Sequence, residues 1–158
     1  MKVDIVNIEA IRVAALEHRD GPETVEQSIE TFRVWRKESG CSSVADKRTF
    51  GVAHSNPDTR PVQKFRFDIC GEVDADIPDN AYGVVNREIS AGRYAKLRHK
   101  GSLETINLKV NALYRDWLPT MQECKRDAPI FFEYLNVSPA VPESALMTDI
   151  YFPLTKSE

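Results

Sequence analysis

Several features of other protein classes are missing from this chain of 158 residues. No apolar run approaches the roughly 20 residues that a membrane-spanning helix needs, and the first residues lack the apolar stretch of a secretory signal. The three cysteines, Cys41, Cys70 and Cys124, are widely spaced and odd in number. That usage argues against a disulfide framework and against a zinc site. We therefore expect a soluble, cytoplasmic protein with no metal, no other cofactor and no membrane partner.

Positive charge is also scarce, because the formal net charge is −3. The basic residues between Arg93 and Lys100 come nearest to a patch, but strands often carry solvated lysine and arginine. No helix-turn-helix pattern is recognisable, and we expect no added DNA-binding domain before Met1 or after Glu158. We therefore expect no direct contact with nucleic acid. A content of 42% hydrophobic and 28% charged residues is typical of one globular domain.

An internal repeat appears when the chain is compared with itself at an offset of 81 residues. Average composition would give about four identities by chance over the span compared. Eleven identical pairs occur without a gap: Arg12/Arg93, Ala14/Ala95, Leu16/Leu97, His18/His99, Glu23/Glu104, Thr24/Thr105, Asp46/Asp127, Phe50/Phe131, Pro61/Pro142, Asp68/Asp149 and Ile69/Ile150. The chain therefore resembles two copies of one unit.

The same order of elements is predicted in both copies. The predicted strands and helices are 11–18, 23–39, 49–54 and 62–73 in the first copy, and 92–99, 104–118, 130–136 and 145–154 in the second. Pro22 suits a first helical position, Gly40 a helix exit and Ser102 an N-cap. The second helix should end at Leu118, because the residue before Pro119 resists the helical conformation. Residues 3–8 alternate apolar and polar and should begin the first strand.

These elements predict a single α+β domain over residues 1–158, built from tandem β-α-β-β units at about 1–81 and 82–158. The expected antiparallel sheet has the two main helices on one face. We expect a ligand groove on the other face, where the copies meet. The helices should pack through apolar stripes: Val25, Ile29, Phe32 and Trp35, and Ile106, Val110, Leu113 and Trp117.

One acid stands out when equivalent strands are aligned. Glu133 lies in the apolar and aromatic strand Phe131–Leu135, whereas its counterpart in the first copy is Val52. The repeat does not require a charge there, and a buried unpaired carboxylate costs several kcal/mol. Glu133 could therefore face solvent, pair with an arginine, or act as a counter-ion at the floor of a pocket. The candidate arginines are Arg66, Arg93 and Arg98.

Aromatic residues near Glu133 extend the pocket hypothesis. Strand alternation puts Phe131 on the same face as Glu133, and Tyr94, Tyr151 and Trp117 could line the pocket from neighbouring elements. A carboxylate among aromatic rings favours flat, cationic or amphipathic ligands. Trp117 and Trp35 are equally typical of core residues, since both lie on helix stripes.

The three histidines do not indicate a metal site or a nucleophile. His18 and His99 are equivalent in the repeat and predict a structural role at the ends of strands. His54 is isolated in the sequence, and no spacing typical of a zinc site or a catalytic triad occurs.

Four short stretches, in order along nearly the whole chain, are similar to one family. They are Lys64–Asp68, Glu88–Ala95, Tyr114–Pro119 and Phe132–Asn136. The chain resembles the GyrI-like small-molecule-binding proteins, which share their fold with effector-binding domains of some AraC-type and MerR-type multidrug regulators. The resemblance implies the duplicated fold and places the family's pocket acid at Glu133.

The resemblance also implies three alternative functions. The first is a binding module that sequesters or senses hydrophobic or cationic drugs and toxins. The second is a hydrolase that opens strained cyclopropane rings of DNA alkylators, with Glu133 as general base; otherwise no catalytic residue is expected. The third is an interaction protein that protects DNA gyrase. One acid without an evident second catalytic group favours binding.

Overall fold

The computed structural model of the protein describes residues 1–54, 66–138 and 140–156. Its strands and α-helices are β1 (Asp4–Ile8), β2 (Ile11–His18), α1 (Val25–Ser39), β3 (Thr49–Ala53), β4 (Phe67–Glu72), β5 (Val84–Ile89), β6 (Gly92–Lys100), α2 (Ile106–Ala112), β7 (Glu123–Lys125), β8 (Ile130–Tyr134) and β9 (Met147–Lys156). The predicted α+β class is therefore confirmed. Residues 62–65 of the predicted fourth strand lie outside the described residues.

The chain divides into two compact units. The N-unit is Ala10–Ser90, and the C-unit combines Met1–Glu9 with Ala91–Glu158. The N-unit has the antiparallel strand order β3-β4-β2-β5, and the C-unit has the order β1-β6-β9-β8 with β7 paired to β9. Most of the predicted segment 3–8 thus forms a separate strand, β1 (Asp4–Ile8), instead of beginning β2.

Strand register confirms the duplication. The pairings among β2, β3, β4 and β5 recur among β6, β8, β9 and β1, with equivalent residues 81 positions apart. Examples are Ala15↔Cys70 and Lys96↔Tyr151, Val52↔Asp68 and Glu133↔Asp149, and Ile11↔Ile89 and Gly92↔Ile8. Because register fixes which side chains share a sheet face, equivalent positions can be compared one by one.

The equivalent histidines join the end of a strand to the start of the helix that follows. His18 Nε2 lies 2.7 Å from the Gly21 carbonyl oxygen, and His99 Nε2 lies 2.8 Å from that of Ser102. A carbonyl can only accept, so Nε2 carries the proton in both rings. The predicted structural role of these histidines is confirmed.

Helix α1 ends as the sequence indicates, since Gly40 has φ 68° in the left-handed region that favours glycine. Phe32 and Trp35 are buried against Ala14 and Ile69 of the sheet. Ile29, predicted to lie on the same stripe, is 46% exposed. The buried side of the helix is therefore narrower than the predicted one.

The second helical stretch runs further than predicted. A π-helical turn, Leu113–Trp117, follows α2, and a 3-10 turn, Leu118–Thr120, follows it. The predicted end at Leu118 was wrong because Pro119 lies in the first positions of a new turn, where its missing N–H has no carbonyl to satisfy. None of the described helices is long and apolar enough to cross a membrane.

Candidate functional site

Strands β8, β9 and β6 bring Glu133 and the predicted aromatic residues onto one sheet face. Glu133 lies opposite Asp149, and Phe131 lies opposite Tyr151. Cross-strand partners share a face, and side chains alternate along a strand. This Glu133 face comprises Tyr94, Lys96, Arg98, Phe131, Glu133, Asp149 and Tyr151.

Three rings on the Glu133 face form an aromatic cluster. Phe131 and Tyr151 stack with a centroid distance of 4.4 Å and an interplanar angle of 7°. Tyr94 meets both edge-on, at 5.2 Å from Phe131 and 6.1 Å from Tyr151. All three are at most 5% exposed. The cluster is therefore closely packed beside the acids rather than a set of mobile side chains.

Asp149 is a buried acid whose charge is matched by two bases. Its side chain is 3% exposed, and Arg98 donates to both of its oxygens, with Nε 2.5 Å from Oδ1 and Nη2 3.3 Å from Oδ2. Lys96 Nζ lies 3.7 Å from Oδ2. The hydrogen bond to Asp149 raises the pKa of Arg98 above its usual value, against a smaller effect of burial.

Glu133 adds a second carboxylate directly across from Asp149. Its side chain is half-buried, and its charge also attracts Arg98. Arg93, another predicted partner, instead donates to Glu123, with Nε 2.7 Å from Oε1. Arg66, the third candidate partner, belongs to the N-unit.

The N-unit shows what the shared scaffold needs at these positions. Asp68, the equivalent of Asp149, is also buried and is held by Arg19 Nη1 at 2.9 Å and by His54 Nε2 at 2.8 Å. Its neighbour across the strand pair is Val52. A buried aspartate held by two basic side chains is therefore common to both units. Asp68 also has an acid, Glu17, as its partner on β2, so the feature found only in the C-unit is an acid at the Val52 position, Glu133.

The aromatic cluster is likewise specific to the C-unit. Phe131 has an aromatic equivalent in Phe50, but Tyr94 and Tyr151 correspond to Val13 and Cys70. Burial raises the pKa of the Cys70 thiol well above its usual value, so this group is a poor nucleophile.

Trp117 is placed differently from the other predicted site residues. It ends the π-helical turn and is half-buried. Tyr114 of the same turn meets Phe152 edge-on at 5.6 Å, and Phe152 points away from the Glu133 face because it alternates with Tyr151. Among the described residues, no ring contact joins Trp117 to the aromatic cluster.

Two cations lie over rings of the cluster, and sequence reasoning did not identify them. Lys96 Nζ is 5.6 Å from the Tyr151 ring centroid, and Arg126 Cζ is 4.9 Å from that of Tyr94. Both distances lie within the range of cation–π attraction. The pairing register was needed to find Lys96, because Lys96 and Tyr151 are far apart in sequence.

A separate shallow hollow of about 340 Å³ lies in the N-unit. Its lining is polar and contains no phenylalanine, tyrosine or tryptophan: Glu17, His18, Arg19, Asp20, Thr24, Gln27 and Ser28. No group of three or more histidine, cysteine or acidic side chains could hold a metal ion within the described part of the chain. The hollow is therefore less suited to an aromatic ligand than the Glu133 face.

Similar proteins match this chain over most of its length. A probable transcriptional regulator, YgiV of Escherichia coli K12, is 47% identical over 98% of this chain and 96% of its own length. DNA gyrase inhibitor 1 of Dickeya dadantii is 30% identical over 79% of this chain and 82% of its own length.

Solved structures share the fold at low sequence identity. The C-terminal domain of EcmrR has a TM-score of 0.77 with 15% identity, and 98% of each chain is covered. A hydrolase from Listeria innocua has a TM-score of 0.63 with 9% identity over 98% of this chain and 92% of its own. SAV2435 bound to tetraphenylphosphonium has a TM-score of 0.58 with 12% identity over 98% of this chain and 94% of its own.

The family model described as a GyrI-like small-molecule-binding domain matches residues 1–155. The match covers almost the entire sequence and agrees with the duplicated fold and with the relatives above. The chain therefore belongs to the GyrI-like small-molecule-binding domain family.

Proposed function

We propose that this protein binds small amphipathic compounds, cationic and aromatic, on the Glu133 face and thereby sequesters or senses drugs or toxins. One observation carries the proposal. Glu133 is an acid at a position where the other unit has Val52, and it lies on the same strand face as Phe131, two residues from the Phe131–Tyr151 stack. Ligand contacts are proposed for Glu133, Phe131, Tyr94 and Tyr151.

The charges on this face favour a cation over an anion. Two acids, Asp149 and Glu133, face two bases, Arg98 and Lys96, so a ligand cation that takes the place of the Lys96 ammonium keeps these charges balanced. A ligand cation beside Glu133 would relieve the repulsion between the two facing carboxylates. Its aromatic groups would contact the ring cluster, where apolar burial and cation–π attraction both contribute.

The comparisons support this chemistry. The family is described by small-molecule binding, and SAV2435, which shares the fold, holds tetraphenylphosphonium, a cation surrounded by four phenyl groups. YgiV is named as a probable transcriptional regulator and matches this chain over 96% of its length. We therefore propose ligand sensing linked to regulation as the biological setting.

A thermal-shift panel of cationic and neutral aromatic compounds tests the proposal. A ligand present at 100 times its dissociation constant stabilises the folded state by about 2.7 kcal/mol. Tetraphenylphosphonium should raise the melting temperature, whereas a neutral analogue of similar shape, triphenylphosphine oxide, should raise it less. Equal shifts with both compounds, or no shift with either, would contradict the proposed charge preference.

Hydrolysis is the second candidate function. It is favoured by the structure from Listeria innocua that shares the fold and is named a hydrolase. Glu133 would act as general base on a water attacking a strained ring, with a tyrosine hydroxyl such as that of Tyr151 orienting the leaving group. Incubation with a cyclopropane-bearing alkylator and detection of the ring-opened product decides this candidate. Catalysis requires that Glu133→Gln abolish product formation.

A gyrase partner is the third candidate, because the Dickeya dadantii relative is named a gyrase inhibitor. A supercoiling assay with purified gyrase, with and without this protein, measures inhibition or protection directly. Unchanged supercoiling at a large excess of the protein would exclude it.

A further inference from the structure

We propose that Lys96 is an internal competitor for the cation site and selects bulky aromatic cations over small ones. This inference rests on the proposed function, since it concerns the same Glu133 face. The ammonium group of Lys96 occupies the position where a ligand cation would lie, so a ligand must displace it in order to bind.

The contacts of Lys96 are those expected of a cationic ligand. Its Nζ lies 5.6 Å from the centroid of the Tyr151 ring and 3.7 Å from Asp149 Oδ2. Strand order places Tyr151 between Lys96 on β6 and Phe131 on β8. Phe131 stacks on the Tyr151 ring from the β8 side, and Lys96 approaches the ring from the β6 side.

Lys96 is held weakly enough to leave. The distance of 3.7 Å from its Nζ to Asp149 Oδ2 is longer than that of a hydrogen bond, and its side chain is 34% exposed. Arg98 binds the same carboxylate through two nitrogens, the nearer at 2.5 Å. Departure of Lys96 therefore leaves Asp149 paired, and the four-carbon stem allows the ammonium to move into water.

The fold does not require a lysine at this position. The equivalent of Lys96 in the N-unit is Ala15, with the same strand partners in the same register. The ring beneath the ammonium is also absent there, because Tyr151 corresponds to Cys70. Ammonium, ring and second acid therefore occur together in the unit that carries Glu133.

Displacement sets the selectivity. A ligand's apparent dissociation constant rises in inverse proportion to the fraction of molecules in which Lys96 has left. A small inorganic or ammonium cation would only replace the charge of the Lys96 ammonium with its own and gain no further contact. An aromatic cation gains additional contact with the ring cluster, and this surplus drives the exchange.

Titration calorimetry with tetraphenylphosphonium tests the inference. Lys96→Gln removes the competitor, and Lys96→Met keeps the apolar stem. Both should bind the cation about two- to fivefold more tightly than the natural chain, with triphenylphosphine oxide changed much less. Lys100→Gln is the matched control: Lys100 lies on the same strand and faces the same side, but is exposed, so its effect should be smaller.

Chemical labelling provides a second readout that a general charge effect would not produce. Acetylation of Lys96 by an N-hydroxysuccinimide ester, followed by mass spectrometry, should become faster at saturating tetraphenylphosphonium because the ammonium is released into water. Slower acetylation, or unchanged or weaker binding by both Lys96 variants, would overturn the inference while leaving the proposed function intact. Absence of binding by the natural chain and by both variants would overturn both.

Discussion

Replacing Glu133 with glutamine should weaken cationic ligands about 100-fold without unfolding the protein. A ligand cation about 6 Å from the carboxylate gains about 3 kcal/mol at an effective dielectric constant of about 20. That free energy corresponds to about two orders of magnitude in the dissociation constant. A neutral aromatic ligand lacks this term, so its affinity should change by less than about twofold.

The effect on stability should be small, because two charge effects oppose each other. Glutamine removes the repulsion between Glu133 and the facing Asp149, and it also removes the attraction between Glu133 and Arg98. The free energy of unfolding should change by less than about 0.5 kcal/mol. Val52 occupies the equivalent slot in the other unit, so the strand itself tolerates a neutral side chain.

Calorimetric titration and melting curves on the same variant check both statements. Tetraphenylphosphonium and triphenylphosphine oxide serve as the cationic and neutral ligands. Glu143→Gln, at an exposed acid of the C-unit, is the matched control for net charge. A melting temperature lowered by several degrees together with unchanged affinity for the cation would show that Glu133 is structural, and the proposed site would be refuted.

Three further predictions concern other parts of the molecule. Burial raises the pKa of Asp68, but the hydrogen bond and charge of His54, together with a nearby guanidinium, outweigh it and lower that pKa below its usual value. The ionised carboxylate of Asp68 therefore stabilises the folded state above the unfolded pKa of about 3.9. Asp68→Asn should lower the free energy of unfolding by about 3 kcal/mol at neutral pH, measured by urea unfolding. A loss of stability in the variant that persists as the pH falls through the lowered pKa would contradict this. Gly92→Ala should lower stability by about 1–3 kcal/mol, because φ is 139° and the new Cβ would lie 2.9 Å from Arg126 Nη2. Gly101→Ala, with φ 117° and nothing within 4 Å, should cost less, and equal losses in thermal unfolding would show that Arg126 is not responsible. The protein should give no gel shift with duplex DNA at physiological salt, since its net charge is −3; a salt-resistant, sequence-dependent shift would contradict this.

The duplicated fold could be predicted because its signals are local or repeat at one offset. Pro22 and Gly40 bound the first helical stretch through their own backbone preferences. His18 and His99 are equivalent in the repeat because each forms a hydrogen bond from the end of a strand to the start of the helix that follows. The end of the second stretch was missed, since Pro119 can start a new turn as readily as stop an old one.

The site was only partly predictable. Glu133 stood out because the repeat supplies Val52 as an internal reference for the same slot. Asp149 appeared only as one identity among eleven, and Lys96 appeared only as part of a basic strand. Their proximity to Glu133 and Tyr151 depends on pairing register, which no local pattern in this sequence specifies.

The most direct test of the central claim is a crystal structure of the protein with tetraphenylphosphonium. The account predicts the phosphonium centre about 6 Å or less from the Tyr151 ring centroid, near the Glu133 carboxylate, with the Lys96 ammonium displaced from the ring. A ligand bound instead in the polar hollow beside His18, with Glu133 and the aromatic cluster untouched, would contradict it.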